Sequence, residues 1–272
     1  MKSQTTPYSP FPTPPLRDVD YRTLQKEFTE SGPFNHIVIE DFLNPETAKQ
    51  IVAEFPTFDE PVWHVYDNAI EIKKTLNNYN IFKPATYSLF TYLNSPEFVS
   101  RLEVLVGEKL YPDIGLNGGG LHTHSRGGKL NTHLDYSIHP KLGLERRLNL
   151  LVYVTPDWDV KWGGSLGLWK QKENREEPGD LAKEIDCIFN RAVLFDTTQN
   201  SWHGLPKPIT CPEHIYRNSL AVYYLCQPRE EVSSRGKALF SPYGDQANDP
   251  KVLELIKKRA SVETASDVWN KK

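Results

Sequence analysis

The chain has 272 residues, with 32 Lys and Arg against 35 Asp and Glu and a net charge of −3. This near balance gives no electrostatic basis for a nucleic-acid surface, and no run approaches the ~18 apolar residues that span a bilayer. Three cysteines, Cys187, Cys211 and Cys226, are odd in number and far apart. They form neither a CxxC metal pair nor a disulfide framework, so a cytoplasmic protein is expected, with no membrane partner.

Pro7, Pro10, Pro12, Pro14 and Pro15 make residues 1–15 an extended segment without the apolar core of a signal peptide. Residues 16–272 are expected to form one domain. A helix is predicted from about Asp18 to Glu30 and a strand from His36 to Phe42. In Asn44-Pro45-Glu46 the Asn caps a helix, Pro suits its first turn and Glu favours its positive end; this helix ends before Pro56. Ser95-Pro96-Glu97 repeats the signal, with Phe98, Leu102, Leu105 and Val106 at helical spacing and a stop near Gly107. The segment from Phe82 to Leu93 carries no readable function.

From about 110 to 227 the pattern changes to short strand-like runs broken by Gly, Pro, Asn and Asp. Examples are Arg147 to Val154, Ser165 to Trp169, Arg191 to Phe195 and Ser219 to Cys226. Such spacing predicts a mainly β sandwich or barrel with flanking helices. Gln171 to Asp180 is expected to be a solvated loop. Asp249-Pro250 opens a C-terminal helix with Val252, Leu253 and Ile256 on one side and Lys257-Lys258-Arg259 on its wet face.

Within the β region, His133-Leu134-Asp135 follows a strand-like run from Lys129 to Thr132. Alternate side chains of an extended strand share a face, so His133 and Asp135 can grip one ion. His203 follows a polar turn after the apolar run Ala192 to Phe195. Two imidazoles and a carboxylate form a facial ligand set with open positions, the set that non-haem Fe(II) oxygenases use. Arg217 and Ser219 share one face of the next strand and suit a carboxylate. His122 and His124 form a second His-x-His pair without a convincing partner ligand, and His124 is a candidate co-substrate contact. His139 precedes Pro140 in a loop, while His36, His64 and His214 read as structural or exposed.

Together these segments resemble the prolyl 4-hydroxylase-like branch of the 2-oxoglutarate/Fe(II)-dependent dioxygenases. The resemblance runs from about Leu121 to Gln227. It rests on Gly128 to Asp135, on Arg146-Arg147 to Val154 with Trp158 and Gly163-Gly164-Ser165-Leu166-Gly167-Leu168, on Asn190 to Asp196 with Ser201-Trp202-His203-Gly204, and on Arg217-Asn218-Ser219-Leu220. The start of such domains is echoed by Pro33 to Leu43.

The resemblance implies a double-stranded β-helix, or jelly-roll, core. It implies His133, Asp135 and His203 as Fe(II) ligands, and Arg217 with Ser219 as the clamp on 2-oxoglutarate. His124 stands where the family often has a tyrosine. The reaction implied is O2-dependent hydroxylation of an unactivated C–H with succinate and CO2 as co-products. The carboxylate of Asp135 favours hydroxylation over the halogenation of relatives that carry a small residue there. A small-molecule substrate is expected, because no peptide-binding repeat or charged groove is evident. A peptidyl prolyl hydroxylase, a zinc hydrolase and a non-catalytic jelly-roll module remain alternatives. Trp158, Trp162, Trp169 and Trp202 line a pocket or pack in the core. Oligomeric state is not readable.

Overall fold

The computed structural model describes residues 13–173 and 175–265. Most of the Pro-rich reading, residues 1–12, lies outside them. The N-terminal part comprises α1 (Tyr21–Glu30), β1 (His36–Ile39), α2 (Pro45–Glu54), β2 (His64–Asp67), β3 (Glu71–Leu76), α3 (Pro84–Leu93) and α4 (Pro96–Val106). The strand-rich part follows with β4 (Tyr111–Pro112), β5 (Gly120–His124), β6 (Lys129–Leu130), β7 (His133–Leu134) and β8 (Glu145–Tyr153). It continues through β9 (Leu166–Gln171), β10 (Pro178–Ile185), β11 (Ala192–Asp196), β12 (His203–Gly204), β13 (Arg217–Cys226) and β14 (Leu239–Phe240), before α5 (Pro250–Ala260).

The predicted helix starts hold for a local reason: side-chain oxygens satisfy amide donors that the first turn leaves free. Asn44 accepts from the Thr47 amide, Ser95 from Phe98 and Asp249 from Lys251, each with proline at the start of its helix. Gly107 ends α4 at φ +74°, a conformation glycine adopts without penalty.

The strands form two antiparallel sheets. The larger has the order β1-β11-β8-β13-β5-β3-β2, with β4 added to β13 and β6 to β3; the smaller has the order β10-β9-β12-β7-β14. This is a double-stranded β-helix with helices on one outer face. Strand β8 explains the layering. Leu148, Leu150 and Val152 join Phe98, Leu102 and Leu105 of α4 in the core outside the large sheet. Tyr153, on the opposite face, packs between the sheets with Leu168, Val193, Phe195 and Ile209. Alternation along one strand thus serves two cores. Leu102→Ala, at a fully buried position, is expected to lower stability by about 2–5 kcal/mol without altering the affinity for Fe(II). Thermal unfolding beside a metal titration checks this, and loss of both together would contradict the separation of the two cores.

Several sequence expectations are corrected. The His-x-Asp triplet does not lie on one continuous strand. Strand β6 pairs with β3 in the large sheet, β7 pairs with β12 and β14 in the small one, and the chain crosses between sheets at Asn131 and Thr132. The predicted loop from Gln171 to Asp180 shrinks, because β9 runs to Gln171 and β10 begins at Pro178; cross-strand pairing outweighs a polar composition. Arg259 is not on a wet face: it is 8% exposed and donates to buried Glu71 at 2.9 Å. The strand expected to reach Phe42 stops at Ile39, where the chain turns through Asp41 at φ +50°. His36 and His139 are buried, and His214 is exposed. Among the described residues no tryptophan lines the cavity between the sheets; Trp158, Trp169 and Trp202 pack in hydrophobic clusters, and Trp169 and Trp202 also border a second pocket. Among the described residues, no helix is long and apolar enough to cross a membrane.

Candidate active site

Between the sheets lies a cavity of about 360 Å³. Its floor is the inner face of the large sheet. Pairing of β13 with β5 sets Arg217 opposite His124 and Ser219 opposite His122, and pairing of β3 with β5 sets Thr75 opposite His122. Residues directly opposite on neighbouring strands share a face. The cavity is therefore paved with the polar side chains that alternate with the outer apolar ones.

Its roof carries His133, Asp135 and His203. Strands β7 and β12 set the two histidines directly opposite each other, with ring centroids 4.4 Å apart. Asp135 follows β7, with Oδ1 3.8 Å from His133 Nε2 and Oδ2 3.8 Å from His203 Nε2. The potential ligand atoms of the three residues all lie within 4.8 Å of one another. The three residues singled out from sequence spacing do come together, although by a sheet crossing and not by one strand.

Hydrogen bonding sets the tautomers. His133 Nδ1 meets the Asn131 carbonyl at 2.9 Å and His203 Nδ1 meets the Ser201 carbonyl at 2.7 Å. A carbonyl only accepts, so each Nδ1 carries the proton and each Nε2 presents a lone pair towards Asp135. Burial drives both imidazole pKa values down and keeps the rings neutral. Burial alone would raise the Asp135 pKa, but the Arg146 guanidinium and the two histidines outweigh it and hold the carboxyl at about 2. Asp135 Oδ2 accepts no hydrogen bond. Two neutral donors, an ionised carboxylate and an unsatisfied buried oxygen are the protonation states that a divalent metal ion needs. The residues present fit such an ion.

Arg146 holds Asp135 in turn. Its Nη1 lies 3.3 Å from Asp135 Oδ1, its Nη2 donates to the Asn117 carbonyl at 2.6 Å, and its guanidinium sits 3.4 Å from the ring centroids of Tyr136 and Tyr223. The paired arginines were visible in sequence, but this role was not, since Asn117 and Tyr223 lie far from Arg146 in the chain.

Arg217 is 3% exposed and lines the cavity from β13. Its Nε donates to the Gly164 carbonyl at 2.7 Å, and its guanidinium lies 4.9 Å from the Tyr153 ring centroid. Gly164 has φ +78°, and a Cβ there would stand 2.8 Å from Arg217 Cδ. The Gly-Gly pair before β9 is thus the seat of the arginine. Ser219 Oγ, buried on the same face, has no hydrogen-bond partner among the described residues. His124 lines the same wall, and its pKa is driven down by burial and then by Arg217.

At the other side of the cavity, Phe240 stacks on His133 with centroids 4.9 Å apart and planes at 18°. Behind it, Glu71, fully buried on β3, pairs with Lys73 at 3.3 Å and Arg259 at 2.9 Å. Sequence reading missed this group entirely. Glu71 and Arg259 are 188 positions apart, and no local pattern links them.

Comparison with known proteins agrees with this architecture. Residues 119–225 match the sequence profile of the 2OG-Fe(II) oxygenase superfamily. No curated protein matches the sequence significantly. Among solved structures, a prolyl-4-hydroxylase from Pseudomonas putida superposes with a TM-score of 0.55 at 13% identity, over 76% of this chain and 100% of that one. A prolyl hydroxylase from Trichoplax adhaerens, in complex with a hypoxia inducible factor peptide fragment, gives 0.52 at 19% identity over 75% and 90%. HygX from Streptomyces hygroscopicus, with nickel, 2-oxoglutarate and hygromycin B bound, gives 0.52 at 13% identity over 75% and 87%. At these identities the likeness to solved structures is one of fold, and the profile match makes residues 119–225 similar to the 2OG-Fe(II) oxygenase superfamily.

Proposed function

We propose that this protein is an Fe(II)- and 2-oxoglutarate-dependent dioxygenase that hydroxylates an unactivated C–H bond of a small molecule, with His133, Asp135 and His203 as the Fe(II) ligands. The observation that carries the reading is the donor set, in which two Nε2 lone pairs and an ionised carboxylate face one point. Fe(II) supplies, when bound, the O2 activation that couples decarboxylation of 2-oxoglutarate to succinate and CO2 with hydroxylation of the substrate. The protein's share is positioning and exclusion of water.

Arg217 holds the distal carboxylate of 2-oxoglutarate by charge-assisted hydrogen bonds, and the free hydroxyl of Ser219 adds a donor. His124, beside them, contacts the same co-substrate. Leu166, Leu205 and Phe195 supply apolar wall where water would otherwise compete. Arg146 fixes the carboxylate of Asp135 in its ionised form. A cavity of about 360 Å³ falls within the size range of small-molecule sites, which favours a small molecule over a peptide.

Anaerobic addition of Fe(II) and 2-oxoglutarate is expected to produce a visible charge-transfer band. A protein that stays colourless while loaded with zinc would sink the oxygenase reading in favour of a hydrolase. Succinate release across small molecules and prolyl peptides then separates the two substrate kinds. Gly164→Ala tests the seat of the arginine. It is expected to raise the half-saturating 2-oxoglutarate concentration at least about tenfold, equivalent to about 1.4 kcal/mol, while Fe(II) affinity stays unchanged. Anaerobic titration of the band measures both, and an unchanged requirement would show that Arg217 does not need this glycine.

A further inference from the structure

Several polar side chains that line the cavity hold a buried atom with no hydrogen-bond partner among the described residues. Asp135 Oδ2 faces the proposed metal site, and Arg146 Nε belongs to the guanidinium that holds Asp135. Ser219 Oγ and both ring nitrogens of His124 lie at the Arg217 end, as does His122 Nε2, because His122 stands opposite Ser219. Asn149 Oδ1 belongs to neither group. Asn149 is 5% exposed, and its amide reaches the Tyr223 phenol, which leaves the side-chain carbonyl unpaired inside the cavity. A buried carbonyl without a donor keeps its full desolvation cost, and neither the proposed metal site nor the co-substrate clamp uses this one.

Asn149 stands on β8 directly opposite Phe195 of β11 and Tyr223 of β13. The Phe195 ring packs against His203 with centroids 4.8 Å apart. The Tyr223 ring centroid lies 3.4 Å from the Arg146 guanidinium, whose Nη1 is 3.3 Å from Asp135. Each of these neighbours therefore touches a proposed metal ligand or the residue that holds one. The co-substrate clamp lies elsewhere. From Arg217 to Tyr223 along β13 the extended chain rises roughly 20 Å. A five-carbon diacid held at Arg217 is too short to span that, and its ionised carboxylates have no proton to offer a carbonyl. The surroundings also set the charge of the missing donor. Leu151, further along the same face of β8, and Ala221 opposite it give an apolar lining. An ammonium would face the Arg146 guanidinium, and an anion would compete with Asp135 for it. An uncharged N–H or O–H meets neither penalty.

We propose that Asn149 anchors the substrate, and that the substrate is a small amide or alcohol whose uncharged N–H or O–H donates to Asn149 Oδ1. The proposal rests on the dioxygenase reading of the same cavity. With the donor held there, the adjoining hydrocarbon lies over Leu151 and Ala221 and faces His203 and Asp135. Specificity then comes from one hydrogen bond made in a dry place, where an analogue lacking the donor leaves the carbonyl unpaired.

The test uses the full chain loaded anaerobically with Fe(II) and saturating 2-oxoglutarate, so that the Arg217 clamp is already filled. Calorimetric titrations compare 2-piperidone with N-methyl-2-piperidone and cyclohexanol with methoxycyclohexane, and the charge-transfer band is recorded in the same samples. At least one donor is expected to bind about tenfold or more tightly than its methylated counterpart, and the pair that shows this decides between amide and alcohol. Asn149→Leu, close in size, and Asn149→Ala should each abolish that preference, while the half-saturating concentrations of Fe(II) and 2-oxoglutarate stay unchanged. The second variant keeps the test sound if leucine disturbs the strand. No preference for either donor overturns the proposal, as does a preference that survives in both variants. A raised 2-oxoglutarate requirement in both variants also overturns it, because Asn149 would then serve the co-substrate. Calorimetry reads the donor site without the band, so absence of the band overturns the dioxygenase reading alone.

Discussion

Asp135→Ala is expected to abolish 2-oxoglutarate-dependent turnover by removing Fe(II) from the protein. Without the carboxylate, two neutral imidazoles face Arg146 with no negative charge to balance either the metal or the guanidinium. Loss of an outer partner of a metal ligand already costs about 10–100-fold in affinity or activity, and loss of a charged ligand exceeds that. The readouts are the metal content after gel filtration and the anaerobic charge-transfer band. A variant that retains tight Fe(II) and full turnover would remove Asp135 from the ligand set. Asp135→Asn separates two contributions. It preserves the shape next to Arg146 but removes the charge, so its metal affinity should resemble that of the alanine variant if charge dominates.

Arg217→Ala should raise the half-saturating concentration of 2-oxoglutarate far more than that of Fe(II). Truncating one partner of a buried, hydrogen-bonded charge pair costs about 2–5 kcal/mol, or roughly 30-fold to several thousandfold in affinity. The guanidinium is almost fully buried and already seated on the Gly164 carbonyl. Little side-chain freedom is then lost on binding, and the effect belongs near the upper part of that range. Arg217→Lys keeps the charge but loses the fork geometry and the bond to Gly164, so it should recover only part of the loss. Equal 2-oxoglutarate requirements in wild type and Arg217→Ala would move the clamp elsewhere.

Much of the site was legible because its residues sit at the ends of strands with strong local signals. His133 and Asp135 were separated by one residue, His203 followed a buried strand and a turn, and Arg217 opened the longest strand of the core. Each could be read from alternation and from turn chemistry. The crossing between sheets at Asn131 and Thr132 could not, because a switch of partner strand leaves the extended backbone unchanged. Strands β2 and β3 and helix α3 also escaped. His64–Asp67 and Glu71–Leu76 are short and mixed in polarity; β3 gains its strand character from pairing with β5, and β2 from pairing with β3. Arg259 was misread for a related reason. A basic triplet at a helix end normally faces water, and only a carboxylate buried in a distant strand could draw one member inwards.

The junction of Glu71 and Arg259 ties β3 to α5 across 188 positions of the chain. The proposed metal ligands and Arg217 lie in the matched segment 119–225, whereas Glu71 and Arg259 both lie outside it. Drift in β3 or α5 can therefore reshape that wall of the cavity while His133, Asp135 and His203 stay in place.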